Sequence, residues 1–192
     1  MKYIFIIIGL FTLISCGSQY KQKLFYKNMS CVKQDKLTVS ERNKIYPYNI
    51  SAKVVLATYL PKEKGVSVMG SEMQDYFRSL KEDRNLFDKK RFKEFIYLND
   101  NQKNELTDII FNYGYKKNLN IGMHSLCYMP NNAILFLDKD DNLLEFIEIC
   151  FDCNEFRTSN EEITLGDKCM QKMNLLDDFF LKSGIKETKV LR

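Results

Sequence analysis

The sequence predicts an α+β domain: a small antiparallel or mixed sheet with helices packed on one face, including a cysteine-bearing β-hairpin. Three observations carry this. Short stretches alternate apolar and polar residues with the period of a strand, while longer ones repeat apolar residues with the period of a helix. Two apolar runs, Ala133 to Leu137 and Leu143 to Phe151, flank the turn-rich spacer Asp138-Lys139-Asp140-Asp141-Asn142 and read as a hairpin. The order is strand, helix, strand, helix, hairpin, helix, with no internal repeat.

Each element has its own signal. Ile50 to Tyr59 alternates and ends at Pro61, which predicts a strand. Ser71 can cap a short helix carrying Met73, Phe77 and Leu80. Phe92 to Leu98 reads as a second strand with Phe92, Ile96 and Leu98 on one face. Asn99 followed by Gln102 spells a capping box before Leu106, Ile109, Ile110 and Tyr113, and Gly114 stands where that helix should stop. If the hairpin has a three-residue loop, Asp138 faces Asn142 and the same register sets Cys127 opposite Cys153; a slip moves it towards Cys150. The last helix is expected over 165–183, with Cys169, Met173, Leu176 and Phe180 on one stripe and Gly184 beyond its end. The domain is drawn over 49–192. Residues 16–48 are polar and rich in lysine and read as a tether, with a docked segment around Cys31 and Val32.

Composition narrows the function classes. Hydrophobic residues at 45% and aromatics at 13% are globular values, so a packed core is expected. A net charge of +4 with no basic stripe gives no reason to invoke nucleic acid. No phosphate-binding loop, dinucleotide fingerprint or nucleophile elbow is present.

The N-terminus points to export. Lys2 precedes the apolar run from Tyr3 to Ile14, and Ser15 and Cys16 close it. The run is shorter than the ~20 apolar residues a membrane span needs. Leu13-Ile14-Ser15-Cys16 resembles the lipobox of bacterial lipoproteins. That resemblance implies removal of residues 1–15 and lipid attachment at Cys16. It implies a protein of the cell envelope, held on a membrane surface through its acyl chains; an envelope protein is the partner class that a binding or assembly role would involve. A plain signal peptide and a retained anchor helix are the competing readings.

An oxidising compartment favours disulfides. Cys31, Cys127, Cys150, Cys153 and Cys169 remain beside Cys16, an odd number. Three readings compete for the cysteines near the hairpin. One is a structural disulfide between Cys127 and either Cys150 or Cys153. Another is a zinc site of His124, Cys127, Cys150 and Cys153, two H-x-x-C and C-x-x-C pairs joined by the hairpin. The third is thiol–disulfide chemistry at Cys150-Phe151-Asp152-Cys153. There the following residues show no amphipathic helix to lower a thiol pKa. The stretch from Cys127-Tyr128-x-Pro130 to Ile149-Cys150-Phe151-x-Cys153 resembles a group of short exported bacterial proteins, and implies that these three cysteines form one unit.

Other signals carry less. Asp138-x-Asp140-x-Asn142 imitates the start of a calcium loop, but Leu143 and Ile149 stand where Gly and Glu are required. Glu145 and Glu148 fall on opposite faces of their strand and read as edge or solvent charges. No residue group is poised for catalysis, so the expected role is non-enzymatic binding or assembly, with no cofactor and zinc only in the alternative.

Overall fold

The computed structural model describes residues 25–59, 71–117 and 128–189. Cys16, Pro61, His124 and Cys127, to which the sequence assigns an anchor, a strand end and a zinc or disulfide role, lie outside them. The fold is α+β, and its main sheet is antiparallel throughout. Five strands run in the order β3 (Phe92–Tyr97), β2 (Lys53–Tyr59), β5 (Asn132–Leu137), β6 (Leu143–Cys150), β7 (Glu155–Thr158). A separate two-stranded ribbon pairs β1 (Cys31–Lys33) with β4 (Tyr113–Tyr115).

The inner strands explain the layering. β2 and β5 are buried along nearly their whole length, so both faces of the sheet need cover. Val54, Leu56, Ile134, Phe136, Ile147 and Ile149 face one core. It is closed by α3 (Asp100–Asn112) and α4 (Lys172–Lys182). Val55, Ala57, Leu135 and Phe146 face a second core under α2 (Ser71–Glu82), where Phe77 stacks 4.5 Å from Phe146. The helices thus divide between the two faces instead of sharing one.

Local chemistry sets the boundaries. Asn99 and Gln102 bond reciprocally at the start of α3, as their spacing predicts. Ile185 N–H reaches the Phe180 carbonyl past Gly184 at positive φ, which closes α4. Asp138 accepts from Asp140 N–H and Asn142 N–H and so builds the hairpin turn. Leu137 pairs with Leu143 but Phe136 with Glu145, a bulge that shifts the register by one residue after the turn.

Four expectations change. β2 begins at Lys53, because turns bonded through the Ile45 and Pro47 carbonyls occupy the preceding residues. Phe92 and Ile96 lie on opposite faces: an irregularity beside Thr58 and Tyr59 leaves Lys93 with no residue opposite it on β2 and flips Phe92 towards α2. α3 ends at Asn112, and Gly114 sits within β4, where a Cβ would run into the Asp167 carboxylate. α4 starts at Lys172, since Gly166 at φ +67° and the bond at Cys169 hold the preceding residues as a loop.

From residue 25 onward, the stretch read as a tether packs on the domain. Met29, Arg42 and Tyr48 are buried. Thr38 and Glu41 form a capping box at α1 (Val39–Arg42). From there Arg42 donates to the Leu37 carbonyl and Thr107 and pairs with Asp108 at 3.4 Å, so the segment is riveted to α3. A buried guanidinium needs such partners, which is why this polar segment cannot swing free.

Candidate functional site

The sulfur chemistry gathers at one end of the sheet. β6 ends in Cys150, and a turn with Asn154 at φ 52° sends the chain into β7. Cys150 and Cys153 are 1% and 4% exposed, so neither meets solvent reagents freely. Phe151 between them packs edge-on against Phe180 at 5.2 Å. The turn leads into a strand, so the Cys150-Phe151-Asp152-Cys153 stretch does not itself open a helix that would lower a thiol pKa. Among the described residues, no group of three or more His, Cys, Asp or Glu stands close enough to hold a metal ion.

The disulfide among the described residues joins Cys31 to Cys169 across 138 positions. It ties β1 to the loop before α4. Cys31 N–H donates to the Gln171 side chain at 2.8 Å and Met170 N–H to the Met29 carbonyl at 2.9 Å, so hydrogen bonds flank the covalent tie. Sequence reasoning missed this pair. The signals available were the odd cysteine count and the apolar docked segment around Cys31.

Beside Cys169 lies Lys172, a buried lysine. Its ammonium donates to the carbonyls of Ile109, Ile110 and Tyr113 at 2.7–2.8 Å, capping the last turn of α3. Burial pulls the amine down to about 8, against the pull of Asp167. Three donors meet three acceptors, so the side chain is fully used. Its side chain also lines a cavity of about 150 Å³ between Phe156, Leu165, Met170 and Met173, with Asn154 and Lys168 as further polar lining.

On the other face Glu148 and Arg157 are cross-strand partners. The Tyr128 hydroxyl donates to Glu148 at 3.4 Å, and the Arg157 guanidinium stacks over the Tyr128 ring at 3.8 Å. Glu145 accepts from the Tyr46 and Ser159 hydroxyls and pairs with Arg84 at 3.3 Å. Both glutamates are buried, at 8% and 4% exposure, and are neither edge nor solvent charges. β6 is an inner strand between β5 and β7, so its polar side chains must find partners inside.

Burial pushes the Glu148 carboxyl up to about 7, while Arg157, Tyr128, Lys81 and Arg78 pull it down. Between the ordinary value of 4.5 and about 7 the unfolded chain gives up this proton and the folded chain keeps it. Stability from this group therefore falls as pH rises through that window, by on the order of 3 kcal/mol. Glu148→Gln should unfold at higher denaturant than wild type at pH 8 and close to it at pH 4.5. A difference that does not vary with pH would rule out Glu148 as the source.

No family model matches the chain, no curated protein resembles it in sequence, and no solved structure matches its fold.

Proposed function

We propose that this protein is a lipid-anchored component of the bacterial cell envelope, held to a membrane surface through Cys16, whose α+β domain has a binding or assembly role. The supporting observation is the Cys31–Cys169 disulfide. A bond between such distant positions suits an oxidising compartment, the destination a lipobox implies. It closes the segment nearest the anchor onto the domain. Among the described residues no helix is long and apolar enough to cross a membrane, and lipid at Cys16 supplies attachment without one. Three of the buried charged groups are committed to structural partners: Lys172 to three carbonyls, Glu145 to Tyr46, Ser159 and Arg84, and Arg42 to α3. Such commitments favour a rigid recognition module over a proton-transfer site.

The test is fractionation with intact mass. Wild type should sediment with membranes and carry a lipid mass on a chain that starts at Cys16. Cys16→Ser should leave the membrane fraction or retain residues 1–15. Unchanged processing and unchanged retention would sink the anchor reading. Peptide mapping without reductant should recover Cys31 linked to Cys169, and free thiols at both positions would remove the support for export.

A further inference from the structure

We infer that the cavity beside the Cys31–Cys169 disulfide is a binding site for a small aromatic carboxylate, its ring held inside and its charge at the mouth. This inference stands apart from the anchoring at Cys16.

Size sets the first limit. The cavity measures about 150 Å³. Apolar cavities of roughly that volume take a benzene-sized guest. A long acyl chain exceeds it. The walls set the preference. They are the Phe156 ring, the Leu165 side chain and the thioethers of Met170 and Met173, beside the sulfur of Cys169. Thioether sulfur adapts its shape and makes favourable contacts with aromatic rings. The walls also cannot collapse onto one another. The disulfide fixes the loop before α4, Met170 N–H is bonded to the Met29 carbonyl, and Lys168 pairs with Glu155 of β7 at 3.3 Å.

The polar part follows from two lysines. Lys172 lines the cavity, but its three donors are taken by carbonyls, so it offers positive potential and no free N–H. Lys168 is 39% exposed and lies 4.7 Å from the Phe156 ring centre. One of its three N–H donors goes to Glu155, and the remaining ones can serve an incoming carboxylate while the ammonium stays over the aromatic wall. A ligand with an aromatic ring one bond or two from a carboxylate satisfies both ends.

Phenylacetate titrated into oxidised protein labelled with [methyl-¹³C]methionine tests this. Saturable shifts are expected at Met170 and Met173, assigned through Met170→Leu and Met173→Leu. Lys168→Met should weaken phenylacetate about tenfold and leave the uncharged 2-phenylethanol unchanged. Met170→Phe should fill the space and abolish binding, with an unchanged amide spectrum elsewhere. Reductant should weaken binding by releasing the wall. Shifts spread over all methionines, no saturation, or full affinity in Met170→Phe would overturn the site. Octanoate binding more tightly than phenylacetate would overturn the aromatic assignment.

Discussion

Replacing Cys31 and Cys169 together with alanine is expected to lower the unfolding free energy by roughly 3–5 kcal/mol. The bond spans 138 positions, so it removes a large share of the freedom of the unfolded chain. Denaturant unfolding without reductant measures the effect. Wild type in reductant should unfold at the same midpoint as the double variant, because the loss belongs to the bond and not to the side chains. Amide exchange should quicken first in β1 and in the loop before α4, the two segments it joins. A loss below ~1 kcal/mol would mean that the β1–β4 pairing and the Gln171 and Met29 hydrogen bonds hold the segment unaided.

Lys172→Met is expected to cost about 3–5 kcal/mol although the two side chains are similar in volume. The ammonium is the donor for three carbonyls at the end of α3. Methionine fills the space and leaves those acceptors buried without a partner. The loss should appear in the denaturation midpoint with the disulfide intact. Exchange should also quicken in the last turn of α3, whose carbonyls lose their donor. Lys172→Arg should recover only part of the loss, because a planar guanidinium cannot point three donors at one ring of carbonyls. Stability equal to wild type in Lys172→Met would show that relieving the buried charge outweighs the lost hydrogen bonds.

Where the chain's own neighbours decide a conformation, the sequence was sufficient. Asn99 and Gln102 cap α3 through contacts three residues apart, and Asp138 builds its turn from residues within four positions. Phe77 and Leu80 sit on the buried stripe of α2 because helical spacing alone places them there. The failures share one cause: a tertiary contact overrides a local pattern. Leu165, Cys169 and Met173 repeat every four residues, yet Leu165 and Cys169 lie in a loop because Cys169 is bonded to Cys31. Phe92 shares an even spacing with Ile96, yet one unpaired residue turns it to the other core. Glu145 and Glu148 look like surface charges until β7 is placed outside β6. The hairpin was legible; its cysteines, read as disulfide, zinc or redox candidates, are buried, Cys150 at 1% exposure and Cys153 at 4%. The Cys31–Cys169 pair was not legible, because no periodicity links positions so far apart.

The position of that pair also decides where mechanical load runs. A pull applied to the N-terminal end travels along the backbone only as far as Cys31. It then crosses the two sulfurs to Cys169 and enters α4 three residues later. The whole five-stranded sheet, with α2 and α3, lies in the closed loop between those residues and is spared the tension. Extension under force therefore reaches only the chain before Cys31 and the segment after Cys169 while the bond is intact. Reduction would place every strand in series with the pull, so a single redox event would change this domain from a shielded cargo into an extensible spring.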